Sequence, residues 1–299
     1  MQKQSTNHIM LIEPAEFYAN PETMETNVYQ LDRHELHDAT LQKALKEFHG
    51  FREMLEKNGV KVTVAKGKRG CPDMLFPNWI STHEGGGMIL YPMLNDSRRA
   101  ERSQDIIDMM TTDYKYKIIH DLRDWEKEKF IVEATGSLCL DRMFKTAYAA
   151  LSKRTDIEAV REWGSLMGYD VEIFKTRSHT GAPVYHTDLV MFIGTEVAAI
   201  CMECILEEYR DRLLQRLYGF REIIELTMDQ QKAFCGNSLE VIGEGGQKML
   251  VMSDTAYAAL TESQKVRFAK YYSRILHAPI PTIETYGGGS ARCLMLELF

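Results

Sequence analysis

The stretch GGGSARCLMLELF at positions 287–299 places Cys293 between a glycine-rich turn and an apolar run. The glycines allow left-handed backbone angles and the close approach of a ligand, and the run LMLELF predicts a buried strand. A cysteine held in this way can act as a nucleophile, because the strand fixes its position while the turn leaves its sulfur accessible. Taken alone, the stretch fits a small buried thiol better, since free cysteine is among the most buried residue types.

Three other stretches carry polar side chains inside apolar strand or turn sequences. PDMLFPNW contains Asp73 and Asn78, and VEATGSLCLDR contains Glu133. In VYHTDLVMFIG, the two-residue period of a strand places His186 and Asp188 on one face. Each stretch also has a structural explanation, because an aspartate after proline commonly forms a turn and a single histidine is more often structural than catalytic. Together with the cysteine, these side chains are those of a thiol hydrolase, although composition alone does not show that they converge.

Composition excludes several classes of protein. The chain has 299 residues and a formal net charge of −7, so it lacks the basic surface that binds nucleic acid or anionic membranes. No run of about 18 apolar residues predicts a membrane span, and the first residues lack the basic-then-apolar order of a signal peptide. Six cysteines are too few for a secreted disulfide scaffold of this length. We therefore expect a reduced, cytoplasmic protein.

The C-x-x-C pair of Cys201 and Cys204 raises the question of a metal site. Neither a second pair nor closing histidines accompany it, so a zinc ribbon is not expected and both thiols are predicted to pack in the core. The sequence also has no phosphate-binding loop and no nicotinamide fingerprint. We expect a protein that works without a metal or cofactor.

Hydrophobic periodicity predicts short strands alternating with helices along the whole chain. Five long helices begin near positions 36, 97, 155, 206 and 261, and this spacing indicates five repeated α/β units within one domain. Two capping boxes are predicted, Thr155 with Glu158 and Thr261 with Gln264. The predicted strands are 8–13, 60–65, 88–91, 116–120, 130–140, 144–151, 169–174, 187–201, 221–226, 239–243 and 248–253, and the predicted helices are 36–58, 97–110, 155–167, 206–219, 228–234 and 262–275.

Six segments, in this order, resemble the guanidine-modifying superfamily of arginine deiminases, dimethylarginine dimethylaminohydrolases and amidinotransferases. They are PDMLFPNWISTH, YPMLNDSRRAER, EATGSLCLDR, AYAALSKRTD, YHTDLVMFIG and GGGSARC. The resemblance runs from about residue 5 to the last residue and is closest to the citrulline-utilisation hydrolase branch. It implies a single α/β domain, residues 1–299, with the five-bladed propeller called the pentein fold and its pseudo-five-fold symmetry.

The resemblance also implies roles for individual residues. Cys293 matches the nucleophile, His186 the general acid and base, and Glu133 the carboxylate that orients this histidine. A thiolate would attack the planar carbon of the substrate, and the imidazolium would protonate the departing nitrogen. Water would then cleave the covalent intermediate, with the neutral imidazole acting as base.

The remaining matched residues would bind the substrate. Asp73 and Asp188 match acidic residues that hold the guanidino or ureido nitrogens. Arg154 matches the arginine that binds the α-carboxylate, with Arg98 as a second candidate, and arginine suits this task because its fork pairs with both carboxylate oxygens.

One departure from the family pattern bears on the substrate. Deiminases that act on a guanidinium place a carboxylate three residues after the motif phenylalanine, where this chain has Trp79, preceded by Asn78. Losing a negative charge favours a neutral ureido group, which an asparagine amide can hydrogen-bond. The leading hypothesis is therefore hydrolysis of citrulline to ornithine, ammonia and carbon dioxide.

Other functions stay open at this point. An arginine or methylarginine deiminase shares the same chemistry, and an amidinotransferase is a more distant alternative. A catalytically silent propeller used for binding is a different class, and it would lack the nucleophile or the acid/base, both of which are filled here. We expect a small-molecule partner, no nucleic acid or membrane partner, and possible homo-oligomers.

Overall fold

The structure, a computed structural model, describes residues 3–218 and 221–299. Its β-strands, most of them short, form five three-stranded sheets within these residues. The strands are β1 His8–Glu13, β2 Lys61–Lys66, β3 Ile80–His83, β4 Gly87–Leu90, β5 Lys117–Asp121, β6 Cys139–Asp141, β7 Thr146–Leu151, β8 Asp170–Lys175, β9 Met191–Ile193, β10 Val197–Ile200, β11 Glu222–Glu225, β12 Leu239–Ile242, β13 Lys248–Ser253, β14 Arg274–Ala278 and β15 Leu296–Glu297.

All five sheets have the same topology, so each forms one blade of a propeller. The first strand pairs antiparallel with the second, and the second pairs parallel with the third. Four blades are continuous in sequence, in the strand orders β3-β4-β5, β6-β7-β8, β9-β10-β11 and β12-β13-β14. The fifth, β15-β1-β2, is assembled from both ends of the described chain. The five-bladed α/β propeller expected from the sequence is confirmed.

Helices make the crossover that each parallel pair of strands requires. In every blade the crossover joins the second strand to the third, and in the described part of the chain three further short helices lie between blades. The helices are α1 Pro21–Met24, α2 His37–Lys57, α3 Asp96–Arg99, α4 Gln104–Asp108, α5 Ala134–Ser137, α6 Ile157–Met167, α7 Glu207–Leu217, α8 Met228–Lys232, α9 Asp254–Ala259, α10 Glu262–Phe268 and α11 Pro281–Gly287. Among the described helices, none has an apolar stretch long enough to cross a bilayer.

The first strand of each blade lies next to the central axis. Strand β9 contacts both β6 and β12, and β15 contacts β3. These strands surround a polar cavity whose lining includes the buried side chains of Arg142, Arg292 and Glu297. The segments that precede the first strands therefore meet at one end of this axis, and this convergence positions the candidate site.

Several predicted elements are wrong in extent or type. The predicted helix 97–110 is divided between α3 and α4 and is followed by a π-helical turn, Met109–Asp113. The predicted strand 130–140 contains α5 before the short strand β6, and 187–201 contains a 3-10 turn, Thr187–Leu189, before β9 and β10. The last predicted helix ends at Phe268, because the following residues form β14 in parallel pairing with β13. The end of the predicted helix 206–219 lies outside the described residues.

The two predicted capping boxes differ in outcome. Thr261 accepts a hydrogen bond from the Gln264 backbone and Gln264 caps in return, so this box is confirmed. At α6 the cap is Asp156 instead of Thr155, since the Asp156 carboxylate accepts hydrogen bonds from the backbone of Glu158 and the next residue. The Asp156 carboxylate therefore caps the free N–H groups of the first turn, and the helix begins one residue later than the sequence pattern indicated.

Helix α2 is expected to contribute strongly to stability through Phe48, which is fully buried in the core against the fourth and fifth blades. Replacing Phe48 with alanine leaves a cavity and should lower the free energy of unfolding by about 3–5 kcal/mol in urea denaturation. Lys46→Ala, at an exposed position on the same helix, is the control and should change it by less than about 0.5 kcal/mol. Equal effects of the two substitutions would contradict the packing described for this helix.

Candidate active site

Each blade contributes the residues just before its first strand to one end of the axis. Asn78 precedes β3, Glu133 and α5 precede β6, and the turn with His186 and Asp188 precedes β9. Cys293 lies in a 3-10 turn, Arg292–Leu294, that precedes β15. The strand predicted for LMLELF, from Leu294, is therefore wrong in extent, because β15 begins only at Leu296.

The glycine-rich turn shapes the surroundings of Cys293. Helix α11 ends at Gly287, and Gly288 has a φ of 61°, the left-handed region that favours glycine. A Cβ atom at Gly288 would also lie 2.5 Å from the side-chain nitrogen of Asn27, and one at Gly289 would lie 3.2 Å from the Cys293 sulfur. The glycines therefore let the turn fold tightly and leave space beside the sulfur.

The Cys293 thiol has two side-chain partners. Its Sγ donates to Oδ2 of Asp188 at 3.4 Å and accepts a hydrogen bond from Nδ2 of Asn237 at 3.1 Å. Burial, followed by the negative charge of Asp188, raises the pKa of this thiol well above its ordinary value. Asn237 was not identified from the sequence, although the Gly-Asn turn before β12 occupies in the fourth blade the place that the predicted residues occupy in the others.

His186 forms a buried pair with Glu133. Its Nε2 lies 2.8 Å from Oε2 of Glu133, whose other oxygen accepts a hydrogen bond from the Leu94 backbone at 3.0 Å. Burial alone would raise the pKa of Glu133, but the hydrogen bond with His186 and the positive charge of Arg154 hold it at about 2. The carboxylate is therefore ionised and orients the imidazole, while His186 stands at the entry of a 3-10 turn instead of on the predicted strand.

Gly136 makes room for this histidine. A Cβ atom at Gly136 would lie 2.5 Å from Nδ1 of His186 and 2.8 Å from Nδ2 of Asn78. Because Gly136 has no side chain, the imidazole and the Asn78 amide can pack directly against the backbone of α5 in the second blade.

Two buried carboxylates keep one oxygen each without a hydrogen-bond partner. Oδ2 of Asp73 accepts hydrogen bonds from Asn20 and Thr23, whereas its Oδ1 has none. Oδ1 of Asp188 is also unpaired, and burial raises the pKa of this carboxyl. Because unpaired buried acceptors are costly, such oxygens are suited to receive N–H donors from a bound molecule. Asp73 lines the pocket directly, while Asp188 lies behind the sulfur beside the axial cavity.

Arg154 is buried and held in place by several contacts. Its guanidinium bonds the Thr23 carbonyl at 3.0 Å and the Thr26 hydroxyl at 2.8 Å, and it lies over the ring of Tyr185. Nη1 is 3.8 Å from Oε2 of Glu133. Arg154 therefore links the substrate pocket to the carboxylate behind His186.

Arg98 is equally buried at the neighbouring wall. Its Nη2 bonds the Phe76 carbonyl at 2.6 Å and is 3.5 Å from Oδ1 of Asn78. Its Nε lies 2.7 Å from Glu101, a residue that the sequence did not single out. Burial raises the pKa of Glu101 to about 8, opposed by the charge of Arg98.

These side chains line one small pocket at the end of the propeller axis. Of the eight predicted site residues, six line it, with Glu133 directly behind His186 and Asp188 directly behind Cys293. The lining residues are Thr23, Asn27, Asp73, Phe76, Asn78, Arg98, Arg154, Tyr185, His186, Gly287 and Cys293. The arrangement combines a thiol, an imidazole with an ionised partner, free carboxylate oxygens and arginines, which suits covalent catalysis on a nitrogen-rich group that carries a carboxylate.

The fold and this pocket define a pentein of the guanidine-modifying superfamily. A sequence model of the family described as "N,N dimethylarginine dimethylhydrolase, eukaryotic" matches residues 13–299. The chain belongs to this family, whose members are enzymes that hydrolyse carbon–nitrogen bonds. No curated protein sequence matches the chain.

Solved structures share the fold at low sequence identity. ArgZ, an arginine dihydrolase from cyanobacteria, superposes with a TM-score of 0.76 at 15% identity over 97% of this chain and 40% of its own. The chain thus spans less than half of full-length ArgZ, but 97% of its N-terminal domain, a variant of which is covalently bound to a reaction intermediate. Dimethylarginine dimethylaminohydrolase from Pseudomonas aeruginosa, in a cysteine-to-serine variant bound to citrulline, superposes with a TM-score of 0.64 at 16% identity over 100% of both chains.

The ionised state of Glu133 predicts a pH-dependent contribution to stability. The pKa of this carboxyl falls from 4.5 to about 2 on folding, so its stabilisation is complete above about pH 4.5 and is lost as the pH falls towards 2, by up to about 3 kcal/mol. The stability advantage of the wild type over Glu133→Gln should therefore shrink across this interval in urea denaturation. Glu128→Gln, at an exposed carboxylate, is the control. An advantage of the same size at pH 7 and pH 3 would contradict the buried ion pair.

The close contact at Gly136 predicts a loss of activity on Gly136→Ala. The added methyl group overlaps the ring of His186, so the imidazole must move, and kcat/KM should fall at least about tenfold because a misplaced acid/base loses rate steeply. Gly50→Ala is the control, since a Cβ atom there meets no atom within 4 Å. Unchanged kcat/KM in Gly136→Ala would show that the position of His186 is not critical.

Proposed function

We propose that this enzyme hydrolyses the ureido group of citrulline to give ornithine, ammonia and carbon dioxide. The observation that carries the proposal is the shared pocket, in which the Cys293 sulfur, the His186 imidazole and an unpaired oxygen of Asp73 meet. The reaction class is inferred from the family, and the substrate is inferred from the side chains that line the pocket.

Substrate binding is proposed to use two groups of side chains in the pocket, the arginines and the aspartates. Arg154 and Arg98 would hold the α-carboxylate, and their buried guanidinium groups favour an anion in this position. Asp73 would accept hydrogen bonds from the nitrogens of the ureido group through its free oxygen, and Asp188 would do so from the side of the sulfur. These contacts fix the planar carbon within reach of the nucleophile.

The proposed chemistry has two steps. The Cys293 thiolate attacks the ureido carbon, and one of the two carbon–nitrogen bonds of this carbon breaks. His186 as imidazolium protonates the nitrogen that departs. Neutral His186 then removes a proton from water. This water cleaves the S-carbamoyl bond between Cys293 and the substrate carbon, and the thiol is regenerated. The resulting carbamate loses carbon dioxide, so one water is consumed for each ornithine, ammonia and carbon dioxide formed.

The preference for a ureido group is supported by Asn78. Its neutral amide lies beside His186, because Nδ2 of Asn78 and Nδ1 of His186 both lie within 3 Å of the position that a Cβ atom on Gly136 would take. Its Oδ1 is 3.5 Å from Nη2 of Arg98. A carbonyl oxygen can receive the N–H of such an amide, whereas a guanidinium has no acceptor to offer it. A neutral substrate also suits a site where Arg98 and Arg154 already offset much of the acidic charge.

A guanidinium substrate, arginine or a methylarginine, is the second candidate. It is supported by the free oxygens of Asp73 and Asp188, which would pair well with a cation. The names of the matched family and of ArgZ point in the same direction, because they refer to dimethylarginine and arginine. The two candidates differ in the group that the Asn78 amide faces.

Product analysis tests the proposal. Purified protein is incubated separately with citrulline, arginine and methylarginines, and the products are measured by mass spectrometry. Ornithine from citrulline, abolished in Cys293→Ser and kept in the control Cys204→Ser, is the expected result. Citrulline formed from arginine without further reaction would replace the proposal by the second candidate. No turnover of any of these compounds by a folded wild type would overturn both.

A further inference from the structure

We propose that Asn237 is a further catalytic residue, whose side-chain amide holds the Cys293 sulfur and stabilises the negative charge that forms on it. This inference rests on the proposed role of Cys293 as the nucleophile. Asn237 is fully buried in the turn between α8 and β12, so its contacts are with the site and not with solvent.

Three hydrogen bonds fix the orientation of the Asn237 amide. Oδ1 accepts from the backbone N–H of Cys293 at 3.2 Å, which leaves Nδ2 as the group that faces the sulfur. Nδ2 donates to the sulfur at 3.1 Å and to the backbone carbonyl of Asp188 at 3.2 Å. In the reversed orientation Nδ2 would face the Cys293 N–H and Oδ1 would face the Asp188 carbonyl, so both backbone hydrogen bonds would be lost.

The backbone of the same turn joins three blades. The Asn237 carbonyl accepts a hydrogen bond from the N–H of Arg292 at 3.2 Å. A Cβ atom on the preceding Gly236 would lie 2.6 Å from the Leu189 carbonyl, so the turn packs directly against the segment that carries Asp188. Asn237 therefore sets the position of the sulfur relative to the third blade.

The charge balance around the sulfur favours such a donor. Burial and the carboxylate of Asp188 both raise the pKa of Cys293, whereas the hydrogen bonds from the Ser290 backbone and from Asn237 lower it. Hydrogen bonds to a charged acceptor are roughly twice as strong as neutral ones, so the contribution of Asn237 grows when the thiol ionises. The other titratable and charged groups that share the pocket of the sulfur are Asp73, Arg98, Arg154, Tyr185 and His186, while Arg292 lines the axial cavity and pairs with Glu297.

The pH profile of Cys293 alkylation by iodoacetamide tests this role. In Asn237→Asp the N–H donor is replaced by an oxygen with negative charge, so the midpoint of the profile should rise by at least about one pH unit and alkylation at pH 7 should slow at least about tenfold. In Asn237→Ser the side chain is too short for its hydroxyl to reach the sulfur, so the midpoint should rise by a smaller amount. Ser238→Ala is the matched control, since Ser238 is buried in the same turn but bonds only the Cys235 carbonyl.

The outcomes separate this inference from the proposed function. Wild-type Cys293 should be alkylated selectively, and substrate should protect it from alkylation. If neither is observed, Cys293 is not the nucleophile and the proposed function fails. With that result in place, an unchanged midpoint in a folded Asn237→Asp or Asn237→Ser protein overturns the role of the amide. Equal rises in all three variants would show that only the shape of the turn matters, and failure of both Asn237 variants to fold would assign the residue a structural role.

Discussion

The buried hydrogen bond between Glu133 and His186 is the interaction on which the rest of the site depends. An ionised carboxylate without solvent is costly unless it is paired, and this one is paired with an imidazole, a backbone N–H from Leu94 and the nearby charge of Arg154. These contacts come from different blades. The orientation of the imidazole is therefore set by the assembled propeller and not by any single segment.

The repeated blade explains how distant residues meet. Each first strand lies along the axis, and the segment before it reaches the same end of the propeller. Small residues then decide how closely the segments approach, with Gly136 against His186 and Gly236 against the turn of Asp188. A fold with five equivalent entries to one pocket can place a nucleophile, an acid/base and several binding groups independently.

The sequence predicted the parts of the fold that periodicity controls. Five α/β units, strand β1 and helix α2 follow from apolar spacing, and the structure brings His186 and Cys293 to one pocket as the resemblance implied. It did not reveal the short helix after Glu133, because a four-residue turn has no periodic signal. Asn237 was missed for a different reason: its hydrogen bonds to Cys293 join residues 56 apart, and only the symmetry of the blades makes that position equivalent to the others.

The central claim is that the sulfur of Cys293 becomes covalently attached to the substrate carbon. The most direct measurement is rapid-quench mass spectrometry of the peptide that contains Cys293, with citrulline and arginine carrying ¹³C at the central carbon of the side-chain group. The account predicts a transient adduct on this peptide that retains the labelled carbon and decays as product accumulates. Product formation at an unchanged rate in Cys293→Ser, with no labelled adduct on the wild-type peptide, would contradict it.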